Sequence, residues 1–191
     1  MSHRKSYNSP GHVHFLTFSC WQRLQFLKRR PACLEFVISL DQARDIEQFD
    51  LWAYVIMPEH VHLLIRPRHE SYEIARILRR IKEGFARRML DNWRENHPGR
   101  LEAAADTTCG PVRYRFWQPG GGFDRNLYNR DAIRHAVAYI EANPIRRGLV
   151  VDTLEWEWSS ARARTGVIEV PLRIDTITWD VAPIETDSSR H

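Results

Sequence analysis

The chain has few cysteines and no long apolar run, and both absences narrow its class. Cys20, Cys33 and Cys109 are widely spaced and form no Cys-x-x-Cys pair, which argues against a structural zinc site and for a reducing compartment. No segment approaches the ~20 apolar residues of a membrane span, and residues 1–8 carry no apolar run typical of a signal peptide. The sequence therefore predicts a cytoplasmic protein with no membrane association.

A nucleotide-binding loop is missing as well, although the chain contains three consecutive glycines. No Gly-Lys-Ser or Gly-Lys-Thr follows Gly120 to Gly122, so this run is not a phosphate-binding loop of the P-loop type. The net charge of +4 is modest and is informative only through its placement. At 191 residues, we expect one domain over residues 8–150 and a C-terminal tail, 151–191, packed on the core and disordered at its end.

A His-x-His pair stands in a strand-like run. Side chains at i and i+2 of a strand point to the same face, so His60 and His62 in the apolar run 57–65 could share one metal ion. Two ordinary strand histidines, hydrogen-bonded to their neighbours, have the same spacing. His12 and His14 repeat the pattern on another predicted strand, so the spacing alone does not separate a ligand pair from a structural one.

A helix predicted over residues 129–143 adds a third element. Asn129 or Asp131 can cap its start, and Pro144 ends it. Tyr139 and Asn143 then lie one turn apart on one face. A phenol can attack a group that a metal ion polarises, and an amide oxygen can complete a ligand set, so these two residue types beside a histidine pair form a coherent chemical set.

The order of predicted elements indicates an α+β fold. It corresponds to the ferredoxin-like, RRM-like split β-α-β arrangement, an antiparallel sheet with helices on one face, followed by the C-terminal tail. The stretch 97–113 is predicted to be an insertion. The predicted elements are strand 14–20, helix 31–48, strands 51–57 and 60–66, helix 72–96, a strand near 114–118, helix 129–143, and a short strand at 167–174 in the tail.

Two segments, 57–62 and 139–150, resemble in this order the single-tyrosine transposases of the His-hydrophobic-His class. The likeness is to the REP-associated tyrosine transposases, bacterial relatives of insertion-sequence transposases, and extends from about His12 to Ser160. By this resemblance His60, His62 and Asn143 are ligands of Mg²⁺ or Mn²⁺, and Tyr139 is the nucleophile that forms a 5′-phosphotyrosine. The resemblance also implies single-stranded DNA hairpins, here repetitive extragenic palindromes, as the substrate. His12 and His14 inherit no role.

The second helix carries a basic face opposite its apolar stripe. Glu73, Glu83 and Asp91 offer few partners for these cations, so we predict that they bind DNA phosphates, although a solvated helix face is the alternative. The predicted DNA-binding residues are Arg76, Arg79, Arg80, Lys82, Arg87 and Arg88.

Several side chains have two interpretations. His135, one turn before Tyr139, is either a base or DNA contact or an ordinary surface histidine. Trp156 and Trp158 are expected to anchor the tail to the core rather than stack on bases. For Phe116, Trp117 and Phe123, stacking on unpaired bases and core packing are equal competitors.

The predicted function is metal-dependent nicking and strand transfer of hairpin DNA, by a monomer or a homodimer. Two alternatives stay open. One is a catalytically silent protein that binds repeat DNA, and the other is a ferredoxin-like domain that binds RNA or hydrolyses with a metal and water. Fold alone does not decide among them.

Overall fold

A four-stranded antiparallel sheet forms the centre of the computed structural model, which describes residues 8–166 and 169–179. The strand order in the sheet is β2-β3-β1-β6, and β4 and β5 form a separate hairpin. The strands are β1 (Val13–Ser19), β2 (Phe49–Met57), β3 (His60–Pro67), β4 (Ala105–Asp106), β5 (Arg113–Tyr114) and β6 (Phe123–Leu127).

Helices cover both faces of the sheet. Two long amphipathic helices, α1 and α2, pack on the face that presents Val61 and Leu63 of β3. The tyrosine helix α4 packs on the opposite face, against Leu64 and Trp52. The helices are α1 (Arg30–Glu47), α2 (Ile74–Asn96), α3 (Pro98–Ala103), α4 (Arg130–Glu141), α5 (Asn143–Arg146) and α6 (Ser160–Thr165), with 3₁₀ turns at Trp21–Arg23 and Thr153–Glu155.

The predicted α+β class and ferredoxin-like order are confirmed, with one difference in layering. The order β1-α1-β2-β3-α2-β6 with antiparallel neighbours is the split β-α-β arrangement. α1 and α2 share one face as predicted, whereas α4 adds a layer on the other. Because β3 alternates its side chains between the two faces, the residues of β3 that face α4 are His60, His62 and Leu64.

The fourth strand of the sheet is β6 and not the predicted strand near 114–118, where the structure has only β5 at Arg113–Tyr114 and a single antiparallel bridge between Trp117 and Cys20. Phe116 and Trp117 are 1% and 6% exposed and pack in the core between β1 and the two long helices, so they are unavailable for stacking on bases. β6 has a weak apolar pattern because Asp124 is a buried partner of His14, with Asp124 Oδ1 at 2.8 Å from His14 Nδ1. The sequence pattern did not reveal this strand, because a polar residue stands where an apolar one would be expected.

The stretch 97–113, predicted to be an insertion, contains α3, β4 and the start of β5. Pro98 stands in the first turn of α3, where its missing N–H is tolerated. Asp106 accepts hydrogen bonds from Thr108 and forms an ion pair with Arg115, which closes the hairpin. Cys109 is exposed there, while Cys20 and Cys33 are buried free thiols.

The C-terminal segment lies along the outer edge of β2. Ile56 N donates to Trp158 O at 2.9 Å, and Asp175 N donates to Leu51 O at 2.8 Å. Trp158 is buried in the core, and Trp156 Nε1 donates to Ile56 O at 3.0 Å, so both tryptophans anchor the segment as predicted. Residues 169–174 form no strand, and residues 167, 168 and 180–191, including the predicted disordered end, lie outside the described residues.

No helix in ranges 8–166 and 169–179 is long and apolar enough to cross a membrane.

Gly122 fixes the start of β6 against β1. Its φ is +75°, and a Cβ there would lie 2.2 Å from Thr17 O. We expect Gly122→Ala to reduce the free energy of unfolding by about 3 kcal/mol, because it combines left-handed strain with a backbone clash. Urea denaturation measures this. Gly121→Ala is the matched control, since its Cβ meets nothing within 4 Å, and equal stability of the two variants would contradict the assignment.

Candidate functional site

His60 and His62 lie side by side at the start of β3 and point to the α4 face. Both are 6% exposed. Their ring centroids are 4.6 Å apart, and their Nε2 atoms are 3.0 Å apart. The strand geometry thus brings the two imidazoles together, as the i, i+2 spacing predicted.

The outer ring nitrogens have partners that direct the Nε2 lone pairs towards each other. His60 Nδ1 lies 3.1 Å from Glu59 Oε1, and a carboxylate only accepts, so Nδ1 donates and Nε2 keeps its lone pair. His62 Nδ1 lies 2.7 Å from Thr17 Oγ1, a hydroxyl that can accept or donate, so this contact allows His62 the same tautomer. Burial lowers the pKa of both histidines, to about 3 for His62, so both rings are neutral near pH 7. When both rings carry their proton on Nδ1, two lone pairs face each other and repel unless a cation lies between them.

Asn143 supplies a third donor in the same cavity. It is 5% exposed, and its Oδ1 has no hydrogen-bond partner among the described residues. A buried, unpaired carbonyl oxygen is costly unless a ligand completes it. Asn143 opens α5 directly after α4, one turn beyond Tyr139.

This donor set fits a divalent ion. Adjacent ligands of an octahedral ion with bonds of about 2.1 Å stand about 3.0 Å apart, which matches the separation of the two Nε2 atoms. The described residues contain no cluster of three or more His, Cys, Asp or Glu side chains suited to a metal. Asn143 Oδ1 is therefore the atom that would raise the histidine pair to three donors.

Tyr139 stands on the rim of this cavity. Asn129 caps α4 by accepting from Ala132 N at 2.8 Å, and the buried face of α4 leaves Tyr139 39% exposed. Its ring lies 5.6 Å from the His62 ring and 5.9 Å from the Phe15 ring. The phenol is thus held beside the histidine pair while its hydroxyl stays accessible to a large substrate.

Three arginines surround the cavity, and none of them is among the site residues predicted from the sequence. The guanidinium of Arg146 lies 4.6 Å from the Tyr139 ring centroid, and Arg147 donates to Glu59 Oε1 at 2.9 Å. Arg23 stands in a 3₁₀ turn with a left-handed φ of 56°. The sequence contained one signal for Arg146 and Arg147, which is their position just after Asn143 and Pro144. It contained no signal for Arg23. The cavity measures about 300 Å³ and is lined by Thr17, Ser19, Arg23, His60, His62, Tyr139, Asn143, Arg146 and Arg147.

The basic face of α2 lies on the other side of the sheet from this cavity. The expectation that it has few acidic partners is wrong, because Glu47 of α1 pairs with Arg76 and Arg80, and Glu35 pairs with Arg88. Lys82 donates to Gly120 O at 2.9 Å, and burial lowers its pKa. Arg79 and Arg87 form no ion pair among the described residues. DNA binding by α2 stays a prediction, at a surface separate from His60 and His62.

The three remaining candidate histidines lie in different environments. His14 is fully buried with both ring nitrogens bonded, to Asp124 and to Tyr72 at 2.8 Å, and is a structural histidine, as the family resemblance implies. His12 contacts Asn126. His135 is exposed and lines a second cavity beside Tyr139.

Comparison with known proteins gives consistent relatives. Residues 12–101 match the family described as IS200-like transposases, a match that includes the histidine pair and ends before α4. A protein of Haemophilus influenzae described as a REP-associated tyrosine transposase is 26% identical over 126 residues. That alignment covers 66% of this chain and 66% of the relative, just under two thirds of its length.

One solved structure shows the same fold. A REP-associated tyrosine transposase bound to a REP hairpin superposes with a TM-score of 0.62 at 21% identity, over 96% of this chain and 98% of that one. A protein described as a transposase from Deinococcus radiodurans gives a TM-score of 0.44 at 20% identity, over 75% of this chain and 97% of that one.

Proposed function

Because the chain is a relative of the REP-associated tyrosine transposases, with an IS200-like transposase region at residues 12–101, we propose that it cuts and rejoins single-stranded DNA. The observation that carries the proposal is one cavity that combines two facing imidazoles, the unpaired Asn143 oxygen and an accessible phenol. None of these features has an evident structural purpose alone. Together they are what a metal-assisted attack by a side-chain nucleophile requires.

His60, His62 and Asn143 would hold Mg²⁺ or Mn²⁺. Their two nitrogens and one oxygen suit Mn²⁺ somewhat better, since Mg²⁺ prefers oxygen ligands. When bound, the ion would polarise the scissile phosphate and stabilise its added negative charge.

Tyr139 would be the nucleophile of a transesterification. Its phenol oxygen forms a bond to phosphorus and loses its proton, while the bond from phosphorus to the 3′ oxygen breaks and that oxygen gains a proton. The products are a 5′-phosphotyrosine and a free 3′-hydroxyl. The number of phosphoester bonds is unchanged, so a 3′-hydroxyl can reverse the step and join a strand without ATP.

Arg23 and Arg146 would position the phosphate for this attack. Arg23 precedes β2 in the sequence and Arg146 follows α4, and both side chains line the cavity. The guanidinium group of Arg146 also stacks on the Tyr139 ring. Guanidinium groups bind phosphate oxygens through paired N–H donors and stay charged throughout the working pH range. They therefore supply positive charge at the atoms that gain negative charge.

The expected substrate is a DNA hairpin of the palindromic repeat type, the kind of ligand named for the structural neighbour, with single-stranded flanks as the site of cleavage. The outer edge of β2 is covered by the chain's own C-terminal segment, which supports a monomer over a dimer joined through that edge. Phosphates of the hairpin stem would be the ligands of the α2 arginines.

The test is a denaturing gel of the purified protein incubated with Mn²⁺ and hairpin oligonucleotides labelled at either end. We expect the 3′-labelled fragment to migrate with the protein and the 5′-labelled fragment to be released with a free 3′-hydroxyl. Cleavage without a covalent adduct would point to water as the nucleophile. Tight, salt-sensitive binding without cleavage would identify a silent repeat-binding protein.

Glu59 is expected to set the metal affinity through His60. Its buried carboxylate accepts from His60 Nδ1 and from Arg147. Glu59→Ala should weaken Mn²⁺ binding by about 10- to 100-fold, since it releases the ring orientation and tautomer. Calorimetric titration of the DNA-free protein measures this. Glu35→Ala, which removes a carboxylate from α1 on the other sheet face, is the control, and equal losses in the two variants would count against the role.

A further inference from the structure

A second cavity adjoins the first and shares Tyr139 with it. It measures about 510 Å³ and lies between β1, β6 and α4. Phe15 of β1 forms its floor, and Arg125 stands directly opposite Phe15 in the sheet register. His135 faces them from α4, one turn before Tyr139. A DNA strand whose phosphate lies at Tyr139 must leave the first cavity in some direction, and this cavity is the space next to it.

Alternate residues of β1 line the surface that connects the two cavities. Ser19 and Thr17 line the first cavity, and Phe15 lines the second. Phe15 is half-buried and stacks on His62 with the ring centroids 5.5 Å apart, and it forms a T-shaped pair with Tyr139 at 5.9 Å. One aromatic surface therefore continues from the nucleophile into the second cavity.

The charges at the cavity favour a base rather than a phosphate inside it. Asp131 at the start of α4 is a lining residue, and its carboxylate repels a phosphate. Asn129 is also a lining residue, but its side-chain oxygen is occupied by the helix cap and does not read a base edge. Arg125 is exposed at the rim and forms no ion pair among the described residues, so it can reach a phosphate outside while the neutral base lies within.

We infer that this cavity binds one unpaired nucleobase next to the scissile phosphate, stacked between Phe15 and His135, with Arg125 on the adjoining phosphate. The inference rests on the proposed function and adds a subsite to it. Aromatic and imidazole rings stack on any base, so such a subsite holds the strand in register without strong sequence preference. It selects unpaired over paired DNA, because a base inside a duplex has no free face.

The test uses a hairpin oligonucleotide with single-stranded thymidine flanks and a series in which one flank base at a time is replaced by an abasic site. The full chain carries Tyr139→Phe, so the DNA stays intact during titration. Fluorescence anisotropy gives the affinity. We expect one flank position at which base removal weakens binding by about tenfold.

The same titrations with His135→Ala and with Phe15→Leu decide where that base lies. Each variant should bind the intact hairpin more weakly, and the abasic substitution at the sensitive position should then have little further effect. His135 is on the surface, so its replacement remains informative if Phe15→Leu does not fold. His69→Ala, which removes an exposed histidine outside both cavities, should retain the full tenfold dependence.

These titrations distinguish failure of the base subsite from failure of the proposed function. If the parent binds the hairpin but no flank position is sensitive, or if base and side-chain effects add, the base subsite is overturned and the transposase proposal stands. If the parent binds no hairpin DNA, the proposed function itself is overturned, and the subsite falls with it.

Discussion

Tyr139→Phe is expected to abolish the covalent protein–DNA adduct, with a loss of at least about a thousandfold in the rate of strand cleavage. The substitution removes one oxygen and keeps the ring that packs against Phe15, His62 and Arg146. Hairpin affinity should therefore stay close to that of the parent. The measurement is adduct formation on a denaturing gel under single-turnover conditions, with binding followed in parallel by anisotropy.

Tyr128→Phe is the matched control. Tyr128 is 42% exposed and lies just before α4, but it does not line the cavity of the histidine pair. It should form adduct at the parental rate. An adduct that persists in Tyr139→Phe and moves to another residue would assign the nucleophile elsewhere, and cleavage that continues without any adduct would favour hydrolysis.

Removal of a proposed metal ligand is expected to have the second large effect, on Mn²⁺ binding and on the rate of adduct formation. His60→Ala deletes one of two facing donors and leaves His62 with no partner for its Nε2 atom. We expect Mn²⁺ binding to be lost and the adduct rate to fall by about a thousandfold, since metal stabilisation of a phosphoryl transition state contributes several kcal/mol. Chelation of the parent with EDTA should give the same loss, and added Mn²⁺ should reverse it in the parent but not in the variant.

The second His-x-His pair supplies the control for this experiment. His12 repeats the sequence pattern on β1 but contacts Asn126 at 3.2 Å and lies outside the site cavity. His12→Ala should keep both Mn²⁺ binding and the adduct rate. Full activity of the parent in EDTA would remove the metal from the mechanism, whatever the variants do.

The geometry of the candidate site was predictable because it depends on local periodicity. The strand period places His60 and His62 on one face, and the helix repeat places Tyr139 and Asn143 one turn apart. The histidine strand β3 and the tyrosine helix α4 come together because α4 packs on the sheet face opposite α1 and α2. A one-layer arrangement of helices, as predicted from the element order, does not provide this contact.

The errors in the prediction have long-range causes. Glu47 and Glu35 neutralise arginines of α2 from a neighbouring helix, so a count of acids within α2 missed them. The strand β6 was missed because its Asp124 bonds through Oδ1 to His14, which lies on a strand more than a hundred residues earlier. Arg23 reaches the site through a left-handed turn with no sequence signature.

The C-terminal segment along β2 has a consequence for how the protein is made. The groups on the outer edge of β2 pair with residues 158 and 175, which leave the ribosome more than a hundred residues after β2 itself. Until then the nascent chain displays an open sheet edge that can recruit strands from other chains. Premature termination after α5 would therefore release every proposed catalytic residue within an aggregation-prone product.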